Sequence, residues 1–204
     1  MPRTDGAADT FSFNVEDVAS GRIESLGPSD GHVYRRLLVK PTDQMWGARS
    51  VLGYGDPANP SAIFKEGLYY YVRFWMRLDP SRDVSRPEFA QVFEMKQCWP
   101  YPLTRAYWTE CQIRSSKWIF QTDWGDEHYW EAPFTETGWI PITVEGVYSS
   151  DVGWLHAKFG DHVMPRADFK TLHPTGPKFF QIGPYQSQEL PETWIDYSEI
   201  EVWS

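Results

Sequence analysis

The segment Leu68–Leu78, with the sequence LYYYVRFWMRL, decides the fold class of this chain. Every second residue from Tyr70 to Leu78 is apolar, whereas the residues between them are aromatic or basic. Successive side chains of a β-strand point to opposite faces of the sheet. The segment therefore predicts a strand that buries one face in a hydrophobic core and exposes an aromatic, basic face.

The outward positions of this strand are candidates for ligand contact. Ordinary solvated faces carry Lys, Glu and Thr, whereas this face carries Tyr71, Arg73, Trp75 and Arg77. Flat aromatic rings suit stacking against pyranose rings, and the two arginines suit an acidic group. The alternative is that these aromatic residues pack beneath loops or at an oligomer interface, where they are also enriched.

Alternating segments recur along the rest of the chain at the intervals of an all-β protein. No segment shows a sustained helical period, and Pro141 predicts an edge strand or a bulge for the segment that contains it. The further predicted strands are Phe89–Gln97, Tyr107–Ser115, Trp118–Thr122, Trp139–Val147, Trp154–Phe159, Phe179–Tyr185 and Ile195–Trp203.

These strands predict an all-β fold, a two-sheet antiparallel jelly-roll sandwich with one concave exposed face. A length of 204 residues suits one large sandwich. We expect residues 11–204 to form a single jelly-roll domain and residues 1–10 to be a disordered lead-in.

Composition narrows the classes of partner. The formal net charge is −9, which argues against nucleic-acid binding because that function needs a basic footprint. We find no apolar run long enough to span a membrane and no apolar signal-peptide core at the N-terminus, so we expect no membrane partner. The location stays open: the chain suits a cytoplasmic protein, a mature extracellular domain or a virion-associated component. The oligomeric state also stays open.

The two cysteines, Cys98 and Cys111, flank a turn that contains two prolines. A hairpin disulfide and a pair of free thiols are both compatible with this spacing.

The order of several motifs resembles the concanavalin A-like jelly-roll polysaccharide lyases, in particular the glucuronan-lyase and heparin-lyase-I-like group and, more distantly, the alginate lyases. The similarity covers roughly residues 30 to 204. The motifs are Lys178–Gln186 (KFFQIGPYQ), Thr193–Tyr197 (TWIDY), the strand that begins at Gly67, Gly138-Trp139 and Gly153-Trp154.

The resemblance implies β-elimination on a uronate-containing polysaccharide without a cofactor. Such an enzyme must neutralise the C5 carboxylate, remove the C5 proton and protonate the departing O4. Tyr185 matches the family's proton-transfer tyrosine. Arg49 matches the arginine that contacts the substrate carboxylate, although Val51 replaces the family's Glu two residues later.

Two further positions depart from the family pattern. The segment Val92–Lys96 falls where the family carries Gln-x-His, so that Glu94 replaces Gln and Lys96 replaces His. Lys96 could still neutralise a carboxylate, and Glu94 would need a cationic partner. Gln181 stands where the family often has Lys.

The remaining candidates come from outward positions of the predicted strands. Gln112 and Arg114 are expected to bind sugar hydroxyls or carboxylates, and Lys158 is expected to contact substrate. His156 is the candidate for a second proton-transfer group. No His/Cys/Asp cluster has a metal-ligand spacing, so we predict no metal site.

Three functions remain open from the sequence. The first is a polysaccharide lyase, and the second is a non-catalytic carbohydrate-binding or lectin-like module on the same fold. The third is a glycoside hydrolase, which requires paired carboxylates across a cleft, for which Glu94 and Glu110 are candidates.

Overall fold

The computed structural model describes residues 14–16, 23–42, 48–49, 51–54, 66–97, 107–122, 129–171 and 178–203. Within these ranges every regular element is a β-strand, and no helix there is long and apolar enough to cross a membrane. The strands are β1 (Asn14–Glu16), β2 (Ile23–Ser29), β3 (His32–Val39), β4 (Ala48–Arg49), β5 (Val51–Tyr54), β6 (Tyr69–Leu78), β7 (Ala90–Gln97), β8 (Tyr107–Arg114), β9 (Lys117–Thr122), β10 (Tyr129–Pro133), β11 (Ile140–Val147), β12 (Gly153–Phe159), β13 (His162–Phe169), β14 (Lys178–Gln186) and β15 (Thr193–Trp203).

Two antiparallel sheets form a jelly-roll sandwich, as the sequence predicts. Sheet I has the order β1-β5-β14-β7-β8-β9-β10, with the short β4 also paired to β14. Sheet II has the order β13-β12-β11-β6-β15-β3-β2. Strand β14 lies between β5 and β7, and β15 lies between β6 and β3, so the C-terminal strands are central in both sheets.

Strand β6 confirms the prediction made from LYYYVRFWMRL. Its inward residues Tyr70, Val72, Phe74 and Met76 are fully buried, and the residues between them are partly exposed. Burial of large apolar side chains is the main force that holds the sheet against its partner. The alternation is unbroken here because β6 is flanked on both sides by regular antiparallel ladders over most of its length.

The core lies between the two sheets and is rich in aromatic contacts. Phe74 of sheet II meets Phe93 of sheet I edge-on, with ring centroids 6.0 Å apart. Trp118 of sheet I stacks on Phe159 of sheet II at 5.2 Å. Aromatic pairs in such geometries add stability beyond the area that they bury. Part of the high aromatic content of the chain is therefore used to pack its core.

Two β-bulges lie side by side in sheet I. The register between β7 and β8 shifts between Gln91 and Phe93, and the register between β14 and β7 shifts between Ile182 and Tyr185. Gly183 has a φ of 140°, a conformation that favours glycine. Bulges re-aim neighbouring side chains and are frequent beside active sites.

The bulge in β7 corrects the predicted orientation of this strand. Uninterrupted alternation places Gln91 on the same face as Phe93 and Met95, which belong to the core. In the structure Gln91 pairs with Gln112 and Glu94 pairs with Glu110, so Gln91 and Glu94 share the other face. The extra residue, Val92, joins the core.

Proline positions in sheet II differ from the sequence-based expectation. Pro141 does not mark an edge, because β11 lies between β12 and β6; its ladder with β12 begins only at Ile142, beyond the proline. The border strands β2 and β13 contain Pro28 and Pro165, respectively. Seven strands, β1 to β5, β10 and β13, are not among the predicted strands. The mixed patterns of β10 and β13 lack a continuous apolar face.

The structure describes one of the two cysteines. Cys111 is a free thiol and is 1% exposed. Burial raises the pKa of this thiol well above its usual value, which makes it unreactive in the folded state. Cys98 and the predicted lead-in at residues 1–10 lie outside the described residues.

Candidate active site

The outer face of sheet I, which points away from sheet II, carries a cluster of amide and carboxyl side chains. We call it the Gln/Glu cluster; its members are Gln91, Glu94, Glu110, Gln112 and Gln121, on β7, β8 and β9. Glu94 and Glu110 are only 7% and 4% exposed, so they are buried although they point away from the core. Buried carboxyl groups are unusual and mark candidate functional positions.

Hydrogen bonds connect the members of the Gln/Glu cluster. The Nε2 atoms of Gln112 and Gln121 both donate to Oε1 of Glu110, the second at 2.6 Å. Gln91 Nε2 lies 3.4 Å from Glu94 Oε2, at the long end of hydrogen-bond distances. The two carboxyl groups are directly opposite each other in the ladder between β7 and β8.

Glu110 has a perturbed acidity. Burial raises the pKa of its carboxyl group to about 7, and the charge of nearby Glu94 acts in the same direction. The hydrogen bonds from Gln112 and Gln121, with the charge of Arg114, oppose this rise. A carboxyl group that titrates near neutral pH can exchange a proton with a substrate at that pH.

The acidity of Glu110 predicts a pH-dependent stability. Between the ordinary Glu pKa of 4.5 and about 7, the folded state holds a proton that the unfolded state has lost, so the free energy of unfolding falls as pH rises. The neutral Glu110→Gln variant keeps an acceptor at Oε1. We expect its free energy of unfolding to be about 2–3 kcal/mol higher than that of the wild type at pH 8 and equal to it near pH 4, as measured by urea unfolding.

A second carboxyl variant supplies the control for this measurement. Glu131 is on the neighbouring β10 and accepts a hydrogen bond from Lys117 Nζ at 2.6 Å, which lowers the pKa of Glu131. Glu131→Gln should therefore give no gain of stability at pH 8. A gain for Glu110→Gln that is the same at pH 4 and pH 8 would contradict the assignment.

Tyr185 lies in the same face of sheet I, beside the Gln/Glu cluster. In the ladder it pairs with Gln91 on one side and with Arg49 on the other. Its ring meets the ring of Phe89 edge-on, with centroids 4.8 Å apart, which orients the phenol. Directly paired residues of an antiparallel ladder have Cβ atoms about 4.5–5.5 Å apart. The backbone thus brings an arginine, a tyrosine and a glutamine into one row.

The structure places about half of the predicted site residues in sheet I. These are Tyr185, Glu94, Gln112 and Arg114, together with the backbones of Arg49, Lys96 and Gln181. The side chains of Arg49, Lys96 and Gln181 lie outside the described residues. In the ladder Gln181 pairs with Glu94, which connects β14 to the Gln/Glu cluster.

The other predicted residues belong to sheet II and cannot share a cleft with Tyr185. They are Tyr71, Arg73, Trp75 and Arg77 on β6, and His156 and Lys158 on β12. Their strands bury alternate residues against the core, so these side chains point to the opposite side of the sandwich. The sequence-based assumption of a single concave site that contains all the candidates is therefore wrong.

His156 contacts Glu145 on the outer face of sheet II. Its Nδ1 atom lies 3.0 Å from Oε1 of Glu145, and the other oxygen of that carboxylate, Oε2, accepts a hydrogen bond from the Tyr69 hydroxyl. This group lies on the outer face of sheet II, with the sandwich core between it and Tyr185. His156 therefore cannot be a second proton-transfer group in a site built around Tyr185.

Gln91 and Gln121 are not among the residues predicted from sequence, and Glu110 is predicted only for the hydrolase alternative. A signal for Gln91 does exist in the sequence: Gln91 and Glu94 are three residues apart, and the two residues between them, Val92 and Phe93, are both apolar. Such a spacing breaks the period of two and indicates a bulge. Among the described residues, no group of three or more His, Cys, Asp or Glu side chains could hold a metal ion.

No protein-family model and no curated protein sequence matches this chain. Solved structures do match. Alginate lyase A1-II′, a member of polysaccharide lyase family 7, superposes with a TM-score of 0.64 at 11% identity, over 91% of this chain and 84% of that chain. The same lyase in complex with an oligosaccharide substrate gives a TM-score of 0.59 at 10% identity, over 91% and 82%.

A second kind of match is the binding domain of botulinum neurotoxin serotype D. Its TM-score is 0.59 at 9% identity, over 95% of this chain and 43% of that chain, so this protein spans less than half of the toxin domain. Identities this low establish the fold alone. The chain has the jelly-roll sandwich fold that both an enzyme and a binding domain use.

Proposed function

We propose that this protein is a polysaccharide lyase that cleaves a uronate-containing polysaccharide by β-elimination on the outer face of sheet I. One observation carries the proposal: Tyr185 pairs with Arg49 on one side and with Gln91 on the other. A cation and an amide can bind a carboxylate, and a tyrosine between them can remove the proton on the adjacent carbon.

The chemistry assigns a role to each member of this row. Arg49 and the Nε2 group of Gln91 hold the C5 carboxylate and stabilise the negative charge that develops when the C5–H bond breaks. The Tyr185 oxygen takes that proton, the electron pair of the C5–H bond forms the C4=C5 double bond, and the C4–O4 bond breaks. The departing O4 then receives a proton, for which the phenol of Tyr185 is the nearest donor in the row.

Positive charge favours the base form of a phenol. The pairing of Arg49 with Tyr185 in the backbone ladder fits this requirement, since it puts an arginine at the position directly opposite the tyrosine. Gln112, which pairs with Gln91 on the far side of β7, extends the row toward β8. Its neighbour Arg114 adds a cation at the end of that strand.

The proposal is tested by incubating the protein with alginate, glucuronan, heparin, hyaluronan and pectin, with amylose as a neutral control. We expect the ultraviolet absorbance of an unsaturated uronate to rise with one acidic polymer and not with amylose. Glycan binding without any such rise would instead favour a non-catalytic binding module.

The Gln/Glu cluster favours a second candidate, a glycoside hydrolase. Glu94 and Glu110 are directly opposed, and the pKa of Glu110 is raised to about 7. A protonated and an ionised carboxyl group form the pair that glycoside hydrolysis uses. This candidate predicts new reducing ends without an unsaturated product, and loss of activity in both Glu94→Gln and Glu110→Gln.

A further inference from the structure

A cavity of about 280 Å³ lies at one end of the sandwich, away from the outer face of sheet I. Its walls come from the loop between β6 and β7, the loop between β14 and β15, and the first residues of β7 and β15. Ala90 and Ile113 of sheet I and Leu190 supply its apolar lining. A volume of this size is near the lower end of small-molecule sites.

Arg82 lines this cavity and carries a buried charge. Both of its terminal guanidinium nitrogens are buried, and neither has a hydrogen-bond partner among the described residues. Burial lowers the pKa of Arg82 to about 10, although Tyr197 and Asp79 lie near enough to act in the opposite direction. The group is therefore still cationic at pH 7. Burying a cation without a partner is costly, and natural proteins rarely leave one uncompensated.

The acidic residues of the cavity wall are already engaged elsewhere. Glu88 accepts two hydrogen bonds from Arg86, at 3.0 and 2.5 Å. Asp83 accepts from the backbone N–H and the hydroxyl of Ser85, at 3.0 and 2.6 Å. The carboxylate of Glu192 lies 3.3 Å from the ammonium of Lys40. Asp79, the carboxylate that acts on Arg82, accepts from the backbone N–H and the hydroxyl of Ser81, at 2.9 and 2.7 Å. None of these carboxylates is hydrogen-bonded to the terminal nitrogens of Arg82.

Two neutral polar atoms in the cavity wall also lack partners. Thr193 Oγ1 and Gln186 Oε1 are both buried without a hydrogen bond. Gln186 Nε2 donates to the carbonyl oxygen of Pro191 at 3.0 Å, which fixes the amide so that its oxygen is the free atom. An amide oxygen needs a donor, whereas the guanidinium needs an anionic acceptor.

We propose that this cavity is a binding site for a small hydroxycarboxylate. The carboxylate of the ligand binds the terminal nitrogens of Arg82, and a ligand hydroxyl donates to Gln186 Oε1. The hydroxyl of Thr193 forms a hydrogen bond with a second oxygen atom of the ligand. The site does not depend on the lyase activity, because its residues belong to the sandwich end and Tyr185 belongs to the outer face of sheet I.

Three six-carbon probes test the proposal by calorimetry on the full chain at constant ionic strength. D-Gluconate has both a carboxylate and hydroxyls, D-sorbitol has only hydroxyls, and hexanoate has only a carboxylate. We expect saturable binding of gluconate, at least about tenfold weaker binding of hexanoate and no binding of sorbitol. The reason is that the loss of each charged or polar contact raises Kd by about tenfold.

Variants of two arginines locate the site. Arg82→Gln should weaken gluconate binding at least about tenfold. Arg166→Gln, on β13 and outside the cavity, should leave the affinity within about twofold, since it breaks an exposed pair with Asp168. Arg82→Gln should also unfold at a higher temperature than the wild type when no ligand is present. Absence of gluconate binding to the wild type, or equal affinity in Arg82→Gln, would overturn the proposal.

Discussion

Tyr185→Phe should lower turnover on the cleaved polysaccharide by about 100-fold or more, because proton transfer by a positioned side chain contributes roughly 10²–10⁴-fold. The substitution removes one oxygen atom and keeps the ring that contacts Phe89 edge-on at 4.8 Å. The loss should appear in kcat, with KM changed little, because in the proposed mechanism the oxygen acts on the C5 proton, whereas Arg49 and Gln91 hold the carboxylate. Steady-state rates of unsaturated uronate formation measure both parameters.

A matched tyrosine on the other sheet is the control. The hydroxyl of Tyr69 donates to Glu145 on the outer face of sheet II. Tyr69→Phe should leave turnover within about twofold of the wild type. The free energy of unfolding of both variants should lie within about 1 kcal/mol of the wild-type value, as expected for the loss of one partly exposed hydroxyl. A Tyr185→Phe variant that turns over at the wild-type rate would remove Tyr185 from the mechanism.

Asp196→Ala should destabilise the protein by about 3–5 kcal/mol, the cost of removing one partner from a buried ion pair. Asp196 is fully buried on β15 and lies between two arginines. Its Oδ1 accepts from Arg36 Nε at 2.8 Å, and its Oδ2 accepts from Arg77 Nη2 at 2.8 Å. Without the carboxylate, two partly buried guanidinium groups face each other across three neighbouring strands.

Chemical denaturation of Asp196→Ala and of a surface variant separates this effect from ordinary loss of charge. Arg166 and Asp168 form a pair of similar length, 2.7 Å, with both side chains about half exposed. Asp168→Ala should change the free energy of unfolding by less than about 1 kcal/mol, as exposed pairs do. Equal losses in the two variants would show that the Asp196 pair is no stronger than a surface pair.

The ion pair also revises the role of Arg77, which sequence analysis assigned to substrate binding. Arg77 donates to Asp196 and stacks over the ring of Trp139, with the guanidinium carbon 4.7 Å from the ring centroid. These contacts hold β6 against β15 and the start of β11. The TWIDY motif that marks the closing strand thus contributes a carboxylate that stabilises sheet II.

The fold was accessible from sequence because alternation is a local signal. In β6 and β12 each residue's face follows from its neighbours, and the structure agrees at Val72, Phe74, Leu155 and Ala157. The membership of a strand in one sheet or the other is a long-range property. Strand β14 pairs with β7 although residues 98–177 separate the two strands along the chain, and nothing within either strand specifies its partner.

The candidate site shows the same limit. Outward parity was predicted correctly for Glu110, Gln112 and Arg114, but the strands that carry them form a face separate from that of Trp75 and His156. The bulge at Gln91 adds a second difficulty, because one extra residue reverses the face of all positions before it. Sequence therefore predicted the chemical groups of the two faces better than their grouping into sites.

The prolines in the border strands of sheet II have a consequence for colloidal behaviour. An unpaired border strand is a template for another chain, and proline removes a donor from that template. Pro28 and Pro165 interrupt both borders of sheet II, although the nearby Val33 and Val163 are well exposed. Each proline therefore disfavours the addition of another chain at its border of sheet II, as in edge-to-edge aggregation and amyloid-like growth.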